Sequence, residues 1–193
     1  EMDPIVRAAL VHYQFETAHP FLDGNGRLGR LLITLMLIND GVLHSCLFYP
    51  SFQFKKNRSE YYRQLTSVRE RGTYEEWIEF FCNSLLESAK DSVGSLKNLV
   101  DLHNRSTATI TENLGRTAAN GQRLLGILEE HPIVDTAFIA AQLDIGRSTA
   151  SSLVKSFEEL GILRPLDESR QRYRQYGYEE YLSILREDAE PIR

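Results

Sequence analysis

The sequence predicts a mainly α-helical chain in two parts, a helical core followed by a smaller module that ends in short strands. Three observations carry this prediction. Apolar side chains recur at helical spacing almost from the first residue. Glycine, proline and short polar side chains fall at the ends of those patterns, where helices start and stop. After the Ser/Thr-rich stretch Ser106–Thr111 the pattern shortens and finishes in brief β-type runs around a polar tip.

The first part is read element by element. Asp3-Pro4 is an N-cap followed by a first-turn proline, so a helix begins at once; Ile5, Val6, Ala9, Leu10 and Tyr13 give it an apolar face. A second helix opens at Gly24-Asn25-Gly26. Its run Leu31, Leu32, Ile33, Leu35, Met36, Leu37, Ile38 is apolar enough to predict burial, and Asn39-Asp40-Gly41 stops it. Leu43 to Phe54, which holds Pro50, is an interrupted apolar connection. Residues 55–71 predict a helix closed by Gly72. Thr73-Tyr74-Glu75-Glu76 reads as a capping box that launches a helix with Trp77, Phe80, Phe81 and Leu85 on one face. Leu86, Ala89, Val93, Leu96, Leu99 and Val100 extend it into a long helix or helix pair, and the break after it sets the parts as residues 1–112 and 113–193.

In the second part, Leu124, Leu125, Ile127 and Leu128 mark a helix closed by His131-Pro132. A short helix from Asp135 to Leu143, the turn Asp144-Ile145-Gly146 and a helix from Arg147 to Leu160 follow, ended by Gly161. Ile162-Leu163-Arg164 and Arg172-Tyr173-Arg174-Gln175-Tyr176 are strand candidates flanking the tip Asp167-Glu168-Ser169-Arg170. Helix, helix, glycine turn, helix and hairpin is the order of a winged helix-turn-helix.

Composition narrows the class. A hydrophobic content of 42% and a charged content of 25% are those of an ordinary globular protein. The Leu31–Ile38 run is too short to span a bilayer, and the opening Glu-Met-Asp-Pro does not read as a signal peptide. Cys46 and Cys82 offer neither a disulfide framework nor a metal spacing, so both are expected as core thiols of a cytoplasmic protein. A net charge of −5 argues against general affinity for nucleic acid or anionic membranes. His12, His44, His103 and His131 stand singly, without ligand spacing, and are expected in ordinary surface or core roles.

Chemistry concentrates in one stretch, His19-Pro-Phe-Leu-Asp-Gly-Asn-Gly-Arg-Leu-Gly-Arg30. A Gly-rich turn that opens a helix aims free backbone N–H groups outward, at the positive end of the helix dipole. Arg27 and Arg30 are three apart and share the first turn. Two arginines heading an apolar helix are costly unless an anion neutralises them, and a polyphosphate is the simplest such anion. Phe21, apolar within a polar loop, is expected to anchor into the core.

This stretch resembles the signature of the Fic-domain (Fic/Doc) family, His-x-Phe-x-Asp/Glu-Gly-Asn-Gly-Arg-x-x-Arg, with every fixed position filled. The likeness extends upstream to Ala8–Glu16 and downstream to Asn57-Arg58-Ser59-Glu60-Tyr61-Tyr62, about the first half of the chain. The resemblance implies a Fic-type helical core and protein adenylyltransferase activity: AMP moves from ATP to a Tyr, Ser or Thr hydroxyl of a target protein. It implies His19 as the catalytic base and Asp23 as the Mg²⁺ ligand. Gly24, Asn25, Gly26, Arg27, Leu28, Gly29 and Arg30 would surround the phosphates, and Asn57 and Tyr61 the adenine; for Tyr61 the alternative is plain helix packing. Removal of AMP from modified proteins would use the same site. Doc-type kinases carry Ala and Lys where this chain has Gly24 and Gly26, which speaks against phosphorylation.

Two family features have no counterpart in these residues. The helices and β-hairpin flap that normally precede the motif are not in this sequence, so it reads as the C-terminal portion of a longer protein. A restraining helix of the form Ser/Thr-x-x-x-Glu followed by Gly or Asn finds its nearest match at Glu112-Asn113, but Ala108 stands where the hydroxyl belongs.

Winged helices commonly follow Fic domains, and such a module invites a rival reading, a nucleotide-sensing regulator that binds DNA. The charges do not favour it: residues 116–193 hold 10 Lys/Arg against 13 Asp/Glu, and few phosphate contacts are on offer. A protein-interaction role, a homodimer included, is the preferred expectation, with no membrane partner.

Overall fold

The computed structural model describes residues 2–44, 50–167 and 174–187. It divides into two compact units, the first ending at Gly94 and the second running Ser95–Glu187. The expected boundary at 112/113 lies further on, within a single helix, because Leu102 and Ile110 already belong to the second unit's core. Among the described residues no helix is long and apolar enough to cross a membrane.

The first unit is helical throughout. Helix α1 (Pro4–Ala18) starts where the cap predicts, with Asp3 Oδ1 accepting from the N–H of Ile5 at 2.8 Å and of Val6 at 3.2 Å. Helix α2 (Asn25–Asn39) packs along α1. The expectation of a wholly buried α2 is corrected: Ile33 and Leu37 are buried, but Leu31 and Leu35 are 53% and 51% exposed, since one helix face is all that α1 and its neighbours cover. The interrupted connection holds a short helix α3 (Ser51–Lys56), and a break at Asn57 separates it from α4 (Arg58–Arg71). Gly72 ends α4 in the left-handed region at φ 71°, as its position predicts.

Helix α5 (Tyr74–Asn113) is the long helix, unbroken through Ser106–Thr111. The capping-box reading at its start is corrected: the Thr73 hydroxyl pairs with Ser67 Oγ at 2.6 Å instead of capping α5. Trp77 and Phe81 carry the α5 contribution to the first core, packed with Ala8, Ala9, Tyr13, Ile33, Phe54, Tyr61 and Val68. The Trp77 indole N–H donates to the Ala9 carbonyl at 3.0 Å, which satisfies the one polar atom on that buried ring. Cys82 is a free, half-buried thiol, whereas Cys46 lies outside the described residues.

The second unit continues from α5 through a 3₁₀ turn (Gly115–Thr117) into α6 (Ala118–Glu130), β1 (Ile133–Asp135), α7 (Thr136–Leu143), α8 (Arg147–Glu159), β2 (Arg164–Pro165), β3 (Gln175–Gly177) and α9 (Glu179–Glu187). The strands form an antiparallel sheet in the order β1-β3-β2, with Val134 opposite Tyr176 and Pro165 opposite Tyr176. Its core gathers Leu124, Leu128, Ile139, Leu143, Phe157 and Tyr178. Asp135 caps α7 through the Phe138 N–H at 2.8 Å. Asp144 makes the turn to α8 in the left-handed region at φ 53°. The hairpin tip Glu168–Arg170 and the residues Arg172 and Tyr173 fall outside the described residues.

Candidate active site

Every group of the motif is placed by the junction between α1 and α2. Pro20 lacks the N–H that would continue α1, and the helix stops at Ala18. His19 turns the chain in the left-handed region, φ 45° and ψ 56°, with its own N–H donating to the Phe15 carbonyl at 3.0 Å. A non-glycine residue held there is strained, and the strain points its imidazole out of the helix line into solvent.

The loop from Phe21 to Gly24 is stapled by a buried side chain. Asn25, 2% exposed, accepts the Phe21 N–H on Oδ1 at 3.0 Å and donates from Nδ2 to the Phe21 carbonyl at 2.6 Å. Asn25 is therefore a backbone surrogate at the head of α2. Phe21 itself departs from its expected role as a core anchor: its ring is 52% exposed and stands 6.4 Å from the Phe15 ring, because the loop is held by its backbone.

Gly24 adopts φ 82° to enter α2 and provides no side-chain cap. Its N–H is taken by Asp23 Oδ1 at 2.7 Å, so of the expected nest the N–H groups of Asn25 and Gly26 are the open donors. Asp23 is nearly fully exposed, and its Oδ2 lies 3.7 Å from Arg27 Nη2. A pair so open to water is weak, which leaves both groups free to exchange partners. Arg30 is half-buried, with Nε enclosed and without a hydrogen-bond partner among the described residues. Among the described residues no three metal-ligating side chains cluster, so Asp23 is a lone carboxylate beside the turn. One carboxylate plus phosphate oxygens is an ordinary Mg²⁺ environment, so the residues fit that ion with a nucleotide.

The remaining expected binders face elsewhere. Leu28 is 42% exposed, whereas Gly29 points inward, and a Cβ there would lie 2.5 Å from Glu16 Oε1 and 3.1 Å from His12 Cε1. Glycine at 29 thus serves the close approach of α1 and α2. Asn57 donates its amide to the Gln53 carbonyl at 3.1 Å. Tyr61 is 4% exposed with its ring among Phe54, Trp77 and Tyr62, and it follows the packing alternative because no ring face is open to a base.

Beneath the motif lies a layer that the sequence reading passed over. His12 is fully buried; its Nδ1–H donates to the Gly29 carbonyl at 3.0 Å, and its Nε2 accepts the Tyr61 hydroxyl at 2.9 Å. A carbonyl can only accept, so Nδ1 carries a proton, and in the neutral ring Nε2 is then the acceptor of the Tyr61 hydroxyl. Burial agrees, holding the His12 pKa down to about 4. Burial also raises the Tyr61 hydroxyl far above its ordinary range. Glu16, one turn further along α1, has a pKa raised by burial and drawn back down by the charges of Arg30 and His19. The available signal was spacing: His12, Glu16 and His19 recur at four and three residues, one face of a helix that ends at the motif.

Backbone donors, two guanidiniums, a carboxylate and an exposed imidazole thus lie in the loop and first turns that open α2. Residues 1–37 match the model of the Fic/DOC family. Similarity to curated proteins extends further. The chain is 35% identical over 96 residues to protein adenylyltransferase fic-1 of Caenorhabditis briggsae, covering 50% of this chain and 18% of that protein. The corresponding protein of Caenorhabditis elegans is 34% identical over 100 residues, which is 52% of this chain and 18% of that one. Protein adenylyltransferase Fic of Drosophila ananassae is 37% identical over 82 residues, or 42% and 15%. The chain therefore spans less than a fifth of the length of these relatives.

Proposed function

We propose that the protein is a Fic-type adenylyltransferase that moves AMP from ATP to a Tyr, Ser or Thr hydroxyl of a target protein. The observation that carries this reading is the open Asn25 and Gly26 N–H groups beside Arg27 and Arg30 at the head of α2, with the solvent-exposed His19 at the start of the loop that leads into it. The names of the relatives, which are adenylyltransferases, support it.

In this reading the phosphate tail lies against the α2 N-terminus, where donors and dipole favour negative charge. Arg27 and Arg30 hold the outer phosphates and stabilise the charge that develops on them. Mg²⁺ carried with the nucleotide would be held by Asp23 and would offset charge on the phosphate oxygens. His19 accepts the proton of the incoming hydroxyl as its oxygen bonds to the α-phosphorus; the bond from that phosphorus to the β-phosphate bridging oxygen breaks, and pyrophosphate leaves. AMP removal would place water in the same attack position.

The second unit supports a winged helix-turn-helix reading through its order α6, β1, α7, α8, β2, β3 and its β1-β3-β2 sheet. One observation favours the regulator as a second reading. The exposed face of α8 carries Arg147, Ser148, Thr149, Ser151, Ser152 and Lys155, all able to contact a phosphate backbone.

The test is incubation of the chain with α-³²P-labelled ATP, Mg²⁺ and candidate proteins, comparing His19→Ala. Label transfer that disappears in the variant supports the transferase. Nucleotide binding without transfer, together with salt-sensitive retention of duplex DNA, supports the regulator.

A further inference from the structure

We propose that Glu16 is a positioning residue for the nucleotide site: it holds the inner edge of the Arg30 guanidinium from beneath, so that the outer edge is presented to the phosphates. The inference rests on the functional reading above and adds to it a residue outside the motif.

Three observations place Glu16 there. Its Oε1 is enclosed and has no hydrogen-bond partner among the described residues, and the same is true of Arg30 Nε. Both side chains press on the same short stretch of α2. A Cβ at Gly26 would meet Arg30 Nη1 at 3.2 Å and Glu16 Oε1 at 3.9 Å, and one at Gly29 would meet Glu16 Oε1 at 2.5 Å. The missing side chains at 26 and 29 thus leave space that the Glu16 carboxylate borders at both positions and the Arg30 guanidinium borders at 26. An acidic group in the last turn of α1 opposes that helix's own dipole, so its placement is not explained by α1. Near the N-terminal turn of α2 it opposes no helix dipole, and its charge is opposite to that of Arg30.

Two effects of that carboxylate compete. Its charge repels phosphate, and its attraction orders Arg30. The phosphates bind on the side of the exposed Asp23, Arg27 and His19, where water and salt damp a field that reaches them from behind the helix. The Glu16–Arg30 attraction acts between enclosed atoms and is damped far less. Ordering wins, so removing the charge weakens nucleotide binding, and does so only through Arg30.

Glu16 is faced by Arg30 from α2, by His12 and His19 from α1 and by Tyr61 from α4. His12 and Tyr61 are neutral in the folded chain, so the charged partners are Arg30 and, when protonated, His19. The ionised carboxylate is the form that orders Arg30. Burial raises its pKa above the ordinary carboxylate value, and its help is therefore lost as pH falls through that raised value.

The experiment is calorimetric titration of MgATP into the full chain, for the parent, Glu16→Gln, Arg30→Ala and the double variant. Glu16→Gln is expected to weaken binding about five- to tenfold, as residues coupled through a shared enclosed space do. In the Arg30→Ala background it is expected to change nothing. Lowering the pH should bring the parent toward Glu16→Gln, which lacks that inflection. Glu16→Met, which fills the same space without a polar atom, replaces the glutamine variant if helical circular dichroism shows that the latter is unfolded. Parent-like affinity in Glu16→Gln, or the same loss with and without Arg30, overturns the proposal. Absence of MgATP binding by the parent removes the functional reading itself, and the inference with it.

Discussion

Acid should weaken the first unit, and His12 carries a definable share of the loss. Its folded pKa is about 4, against 6.5 for a free imidazole, because the ring is buried and the Arg30 charge lies near it, which together outweigh the bond to the Gly29 carbonyl. The unfolded chain therefore binds a proton that the folded chain refuses. The group's folded pKa is depressed, so its contribution is complete above about pH 6.5 and is lost as pH falls toward about 4; the full loss is about 3 kcal/mol. Between pH 7.5 and pH 5 the expected loss is about 2 kcal/mol, near a quarter of the stability of a typical small domain. The chain has one tryptophan, Trp77, buried beside His12 with ring centroids 6.1 Å apart, so urea unfolding followed by its emission reports this unit. His12→Gln keeps a donor for the Gly29 carbonyl but cannot titrate. The parent should lose about 2 kcal/mol more than this variant over that interval. Equal losses in the two chains would refute the reasoning, because every other titrating group is common to both.

Three further outcomes are expected. Asn25→Ala removes both bonds to the Phe21 backbone and leaves those groups to find other partners; thermal melting should show a loss of about 1–3 kcal/mol, and MgATP affinity should fall with it. Gly29→Ala forces a Cβ against Glu16 and His12; it should cost about 1–3 kcal/mol in urea and should weaken MgATP binding by disturbing the same layer. Asp3→Ala strips the two cap bonds at the start of α1; it should cost about 1 kcal/mol with no change in nucleotide affinity, a control that separates stability from site geometry.

What the sequence disclosed, and what it withheld, follows from range. Asp3-Pro4, Gly72, Asp144 and Gly161 act on their own neighbourhoods, and the helix ends they predict are where the structure has them. Strand β1 was not foreseen, since Ile133–Asp135 is extended only because β3 pairs with it from across the unit. Helix α9 was not foreseen, since the short charged stretch Glu179–Glu187 is held as a helix by the core that its apolar side chains meet. Within the site, the motif displayed its own residues, but the roles of Asn25, Gly29 and Tyr61 depend on what stands opposite them. A glycine looks the same in sequence whether it frees an amide for a ligand or makes way for a helix. Likewise, Leu31 and Leu35 are indistinguishable from Ile33 until the partner helix picks a face.

The order in which the chain is made has a bearing on its second unit. Tyr178, 1% exposed, closes that core from the α9 end, its hydroxyl paired with Ser106 Oγ at 2.8 Å across 72 positions of sequence. Tyr181 reaches back in the same way to the Glu129 carbonyl at 3.0 Å. Until those tyrosines have left the ribosome, α6, α7 and α8 lack the side chains that seal their shared interior. The unit therefore closes only after Tyr181 has emerged, as chains whose contacts are distant in sequence do. A stop codon just before Tyr178 would forfeit far more than the last helix.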